Sequence, residues 1–182
     1  DGDTYLNTNG SCVVSEGGDW SDPESQTCYK SLAEVLCKPV AQGGQGAKYL
    51  ALGIEVNSYY GFLNVDNNTA DYTRFVTFYR ATYDYLKNPS RFPNTKIFVS
   101  FQLEQLKGIG RFWGTPVSVS WTETFAPFEG KLDLLAFTVY PQMQYSSPSD
   151  IPGDYLTDII NNVPVNLKDK PIAIVETGWS HW

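Results

Sequence analysis

Apolar residues in this chain gather into two kinds of run. The first kind is short and nearly unbroken: Tyr49 to Asn57, Lys96 to Glu104, Leu132 to Tyr140, and Lys170 to Trp179. Runs of this length suit strands buried on both faces, as in a parallel sheet covered by helices. The second kind recurs at three and four. Asp71 to Lys87 sets Tyr72, Phe75, Val76, Tyr79, Tyr83 and Leu86 on one broad stripe, and Asn88-Pro89 ends it. Because those aromatics keep helical spacing, they are assigned to core rather than to a ligand cage. Tyr29 to Lys38 repeats the pattern with Leu32, Val35 and Leu36, and Pro39 supplies the stop. Pro152 to Asn162 places Tyr155, Leu156, Ile159 and Ile160 on one predicted face.

Between these elements lie polar or glycine-rich stretches. Residues 1 to 28 read as a loop-rich segment, and Gln42 to Gly46 as a flexible connection. Ser58 to Asn68 is a predicted loop carrying Tyr59, Tyr60 and Phe62; Gly108 to Trp121 is a longer one, followed by a short helix up to Phe128. Strands alternating with helices imply right-handed parallel crossovers and the α/β class. Four strands cannot close the common barrel, which takes eight. An open sheet of four would expose two edges, which proteins normally cover. The expectation is a single domain over 1–182, (β/α)8 TIM-barrel-like, a partial barrel with parallel strands and incomplete at both ends. A free-standing flavodoxin-like sheet is the alternative.

Composition narrows the partners. The net charge of −7 argues against nucleic acid or an anionic membrane surface. No apolar run approaches the ~20 residues needed to span a bilayer. The chain starts without a signal peptide, so a secreted origin requires that segment to have been removed. Cys12, Cys28 and Cys37 match no zinc spacing, and one disulfide with an odd thiol is the simple reading. A Cys28–Cys37 bridge is the least favoured if both lie on one helix. Nine helical residues span about 13.5 Å, against a limit of ~7 Å between bridged Cα atoms. Asn9 and Asn67 head glycosylation sequons. With the clustered cysteines these point to an extracellular protein, secreted or at the cell surface, with self-assembly left open.

The chemistry collects at strand ends. Glu55 and Glu176, about 120 residues apart, each close an apolar strand, and sites in parallel sheets form at those carboxyl ends. Two carboxylates presented this way are the equipment of glycoside hydrolysis; the bland alternative is a pair of surface acids. Gln102 and Glu104 end a further strand and would either line a cleft or form surface salt links. Trp179, Trp182, Trp113 and Tyr59 have aromatic faces suited to stacking on pyranose rings, with 15% of the chain aromatic. Trp113 and Trp121 fit loop packing equally well. His181 has no Gly-x-Ser-x-Gly elbow to serve, and no glycine-rich phosphate loop stands between a strand and a helix. No metal ligand set and no cofactor motif emerges.

These strands resemble a known family. Tyr49 to Asn57 resembles the fourth strand of the large retaining clan of (β/α)8 glycoside hydrolases, whose usual ending is Gly-Asn-Glu. Pro171 to Trp179 is similar to that clan's seventh strand, where a Glu followed by Thr or Ser, then Gly and an aromatic residue, is the nucleophile. Leu132 to Pro141 matches the sixth, whose terminal Tyr commonly bonds the nucleophile. The flavour is that of endo-β-1,4-galactanases and plant-type β-1,3-glucanases, over about residues 29 to 182, as strands four to seven. The resemblance implies Glu55 as acid/base, Glu176 as nucleophile and Tyr140 as its orienting partner. Where the clan carries an Asn that bonds the sugar 2-hydroxyl, this chain has Ile54, leaving Asn57 or Gln102 as replacement donors. Two functions are therefore expected to compete: retaining hydrolysis of a β-linked polysaccharide without cofactor, or a catalytically silent extracellular carbohydrate-binding or assembly protein on the same fold.

Overall fold

The computed structural model describes residues 20–58, 69–112, 115–117 and 119–179. Among these, residues 20–50 and 69–97 make one compact unit, and residues 51–58 and 98–179 a second.

Two helices dominate the first unit. Helix α1 (Pro23–Cys37) begins at Pro23 rather than at the expected Tyr29, because the residues before the apolar stripe form a strong helix start. The Asp22 carboxylate accepts from the Ser25 amide at 2.8 Å, and Pro23 occupies a first-turn position where its missing N–H costs nothing. The bonds from Ser25 hold the Asp22 carboxyl below its ordinary range. Helix α2 (Thr69–Lys87) buries Tyr72, Phe75, Tyr79 and Leu86, as its spacing predicts, and adds Phe78. Trp20 stacks on Phe78 with ring centroids 5.1 Å apart and meets Phe75 edge-on at 5.2 Å. Arg91 lies 3.7 Å over the Tyr85 ring and pairs with Glu34, which also accepts from the Tyr85 hydroxyl.

Both Cys28 and Cys37 lie on α1, and Cys37 is a buried free thiol that burial pushes up from its ordinary pKa. Cys28 is disulfide-bonded; Cys12 and Asn9 lie outside the described residues, as do Tyr59, Asn67, Trp113, His181 and Trp182.

The architecture is α/β, with parallel strands in two small sheets. Strands β1 (Tyr49–Ala51) and β2 (Lys96–Phe98) form the first, and the predicted long run from Tyr49 is thus regular over only its start. The second sheet has the order β3 (Ser100–Gln102), β6 (Leu135–Val139), β7 (Ile172–Thr177), all parallel. Within the second unit the Leu52 amide donates to the Phe98 carbonyl at 2.9 Å, and the Ser100 amide to the Gly53 carbonyl at 3.0 Å. Residues 51–53, 98–102, β6 and β7 therefore lie side by side in chain order. Among the described residues they do not close an eight-stranded barrel.

Three expectations need correction. Strand β7 is not buried on both faces: Ile172, Ile174 and Val175 are 49%, 41% and 46% exposed, since β7 is the edge of its sheet. The helix expected from Pro152 is regular only as α5 (Thr157–Asn162). Tyr155 and Ile159 are buried, whereas Leu156 and Ile160 are exposed. Residues four apart share a helix face and their next neighbours turn about 100° away, so the stripe is narrower than the sequence suggested. The long loop from Gly108 contains an antiparallel hairpin, β4 (Gly110–Phe112) with β5 (Thr115–Val117). Strands of three residues are too short for alternation to stand out.

Between β3 and β4 the chain makes one helical turn, α3 (Leu103–Leu106), and α4 (Trp121–Phe125) follows the hairpin. Phe101, Phe125, Phe128 and Phe137 are fully buried around this turn, with Phe101 and Phe125 centroids 4.3 Å apart. Trp121 stacks on Phe125, which makes it part of the packing.

Gly110 lets the hairpin approach α3. A Cβ there would fall 2.6 Å from the Gln105 Cγ, 2.8 Å from its N and 2.9 Å from its Cα, and the last two cannot swing aside. Gly110→Ala is expected to destabilise the protein by ~1–3 kcal/mol and to lower Tm by several degrees. An unchanged thermal midpoint would contradict this close approach.

Candidate functional site

The site assembles on the end of β6. Gln102 of β3 and Glu176 of β7 both stand beside Thr138 in the strand register. One step earlier, Phe137 pairs with Ile174, so the register shifts by one residue and Val175 has no partner in β6. Strict alternation would put Glu176 on the same side as Ile174. The shift instead sets it alongside Thr138, the re-aiming that an extra residue in a strand produces.

Glu55 reaches the same place from after β1. Its carboxylate accepts from the Thr138 hydroxyl at 2.6 Å. Its backbone is left-handed, with φ of +50°, a conformation that costs a non-glycine residue of order 1–3 kcal/mol. The neighbours fix that geometry: the Glu55 amide donates to Ser100 Oγ at 3.0 Å, and the Glu55 carbonyl accepts from the Ser58 amide at 2.8 Å. Such strain is characteristic of functional positions.

Glu176 is held from the other side. The Tyr140 hydroxyl donates to Glu176 Oε1, and the Thr177 hydroxyl ties β7 to the Val139 carbonyl at 2.8 Å. The bond to Glu176 pushes the Tyr140 phenol up to about 12, with the charges of Glu176, Glu55 and Glu104 adding to it.

Asn57 and Gln102 are arranged differently from the expected sugar contacts. Asn57 is wholly buried, and its carboxamide exchanges bonds with the Gln102 backbone, donating at 2.8 Å and accepting at 2.7 Å. It braces the strand end and offers no free amide. The Gln102 side chain is buried, with Nε2 3.9 Å from Met143 Sδ and no partner for Oε1 among the described residues. Trp179 is half-buried, and Tyr59 is outside the described residues. Ile54 is 67% exposed at the mouth of the strand.

Glu104 is no surface salt link. It is fully buried on α3, and its Oε1 accepts from the Tyr140 amide at 2.7 Å and from the Tyr155 hydroxyl at 2.8 Å. Burial pushes its carboxyl above the ordinary range, opposed by the Tyr155 bond and the Tyr140 and Glu104 amides; the Glu55 charge raises it further. Sequence reasoning missed Ser100, Thr138 and Tyr155 as site residues. The first two had a signal, since each is a lone hydroxyl inside an otherwise apolar strand. Tyr155 had none, because its spacing marks it only as helix core.

Among the described residues no group of His, Cys, Asp or Glu is arranged to hold a metal ion. No helix among them is long and apolar enough to cross a membrane. The chain matches no protein-family model, no curated protein and no solved structure.

The buried Glu104 gives a pH dependence with a definite sign. Its pKa rises from 4.5 on folding, so the stability that goes with the neutral acid is present at low pH. That stability is lost as pH climbs through the folded value, because the unfolded chain ionises first. Glu104→Gln keeps an acceptor for both donors and does not titrate. Urea unfolding from pH 4 upward should show the variant gaining on the parent as pH rises; parallel curves would refute the upward shift of the Glu104 carboxyl.

Proposed function

We propose that the protein is a retaining glycoside hydrolase acting on a β-linked polysaccharide, built on an arc of a (β/α)8 barrel. The observation that carries this reading is the convergence of Glu55 and Glu176 on the end of β6. One is held by Thr138, and the other lies beside Thr138 and is bonded by Tyr140. A retaining mechanism needs ~5–5.5 Å between the two carboxyls, and their side chains would have to meet over Thr138 from strand ends that β3 and β6 separate. Strands adjacent in chain order, without the reversal of doubly wound sheets, also suit a barrel arc. The exposed apolar side chains of β7 are where further barrel elements would pack.

The steps follow from the residue types. The Glu176 carboxylate attacks the anomeric carbon while protonated Glu55 gives its proton to the departing oxygen, and the glycosidic C–O bond breaks. A glycosyl ester on Glu176 results. Ionised Glu55 then takes a proton from water, whose oxygen displaces Glu176 and restores both carboxyls. Tyr140 orients the Glu176 oxygen that is not attacking. Trp179 supplies an apolar face for a sugar ring, and neither metal nor organic cofactor is called for. An extracellular location is part of the proposal, supported by the bridged state of Cys28 and the sequons at Asn9 and Asn67.

A second reading, a catalytically silent carbohydrate-binding or assembly protein, is favoured by one local fact. Ile54 can neither donate nor accept where a 2-hydroxyl partner is needed, and the Asn57 amide is already committed to Gln102. The test assays the parent, Glu55→Gln, Glu176→Gln and Ile54→Asn on aryl β-glycosides and on β-glucans and β-galactans. Glu176→Gln should abolish turnover, Glu55→Gln should lower it by ~10²–10⁴, and the product should first appear as the retained anomer. Ile54→Asn should raise turnover by ~10², the worth of one well-placed donor. Binding without turnover in all four proteins would establish the silent module, and turnover indifferent to Glu176→Gln would remove the mechanism.

A further inference from the structure

Glu104 is a third carboxyl at the strand ends, and neither hydrolytic step uses it. It sits one residue into the turn after β3, on a different strand end from either proposed catalytic acid. Oε1 takes both available donors, the main chain of Tyr140 and the hydroxyl of Tyr155, while Oε2 is buried with no partner among the described residues. An acid saturated at one oxygen and dry at the other is not placed to exchange protons with a substrate. It is placed to fix what it touches. Tyr140 follows the last residue of β6 and has a backbone that is neither strand nor helix (φ −128°, ψ 75°), so sheet pairing does not set its position. The bond from its amide to Glu104 does.

We propose that Glu104 is a positioning residue, which anchors the main chain at Tyr140 and thereby sets the phenol that holds Glu176. The proposal rests on the hydrolase reading for its consequence, though not for its geometry. Tyr155 completes the anchor. Its ring stacks edge-on with Tyr145 at 5.8 Å, and Lys107 lies 4.2 Å over its face. Lys107 in turn donates to the Tyr155 carbonyl at 2.9 Å and pairs with Asp158 at 2.6 Å. Thus the charged or titratable groups facing this cluster are Glu55 and Glu176 from the site, with Lys107, Tyr145 and Asp158 around Tyr155. An amide at position 104 can still accept from both donors, so the anchor depends on the acceptor and not on charge. A purely apolar residue of similar size removes it.

The experiment needs a signal from Tyr140 itself, one of 12 tyrosines. We would install 3-fluorotyrosine at position 140 of the full chain and follow its ¹⁹F resonance, calibrating loss of the Glu176 bond with Glu176→Gln. Glu104→Leu should move the resonance away from the parent position and lower kcat on an aryl β-glycoside by ~10², the cost of a misplaced catalytic group, with KM little changed. Glu104→Gln should restore both. A folded Glu104→Leu whose resonance stays at the parent position overturns the proposal. If Glu104→Leu does not fold, Tyr155→Phe keeps the ring and removes one donor to Oε1; it should shift the resonance in the same sense, and no shift overturns the proposal equally. Absence of turnover in the parent would remove the hydrolase reading, while the ¹⁹F comparison would still decide the anchor.

Discussion

Parallel strands in strict register send alternate side chains to opposite faces, so a residue's side is fixed by counting from any paired neighbour. Counted from Ile174, Glu176 belongs with the apolar residues of β7. The single shift after that pair leaves Val175 over and brings Glu176 level with Thr138. The shift brings Glu176 to contacts already gathered at the end of β6. Thr138 holds Glu55, Tyr140 two residues on holds Glu176, and Glu104 holds Tyr140. Without the shift, Glu176 would lie across the sheet from the phenol that bonds it.

Two features of the site oppose folding. Glu55 keeps a left-handed backbone, and Glu104 is a carboxyl taken out of water. Neither would persist on a loose segment, because each could relax at once into an ordinary conformation or into solvent. They persist because their neighbours are strand residues and core aromatics with no freedom to follow. Ser100, which fixes Glu55, is buried in β3 one residue before the Phe101 that packs on Phe125. The rigidity of the aromatic core is thereby passed to the carboxyls, as a precise catalytic geometry requires.

The two functional readings share this framework and part at a single contact. On either proposal the carboxyls, the phenol and the bracing amide of Asn57 form the same site. What separates them is whether a donor reaches the sugar 2-hydroxyl, a contact that strengthens in the transition state. Ile54 occupies the place where the resemblance expects that donor, and its exposed apolar side chain faces the solvent from which a substrate would come.

The sequence by itself determined the α/β class, the long helix carrying Tyr72 to Leu86 and the neighbourhood of the parallel strands, while the early start of α1 and the antiparallel β4–β5 hairpin escaped it. Hydrophobic periodicity is local, and so are these properties: Tyr72 to Leu86 repeat at three and four whatever lies beyond them. The sequence also marked Glu55, Glu176 and Tyr140 through the resemblance of their strands to a family. Only the tertiary structure decided how those residues meet. The register shift depends on pairing between β6 and β7, segments more than thirty residues apart. The burial of Glu104 depends on Tyr140 and Tyr155 arriving from elsewhere in the chain. The commitment of Asn57 depends on the backbone of Gln102 being within reach. A side chain's type is written in one place, whereas its partners and its access to water are set by segments distant in sequence, and that is why the same Glu reads as a surface acid in the chain and as an anchor in the fold.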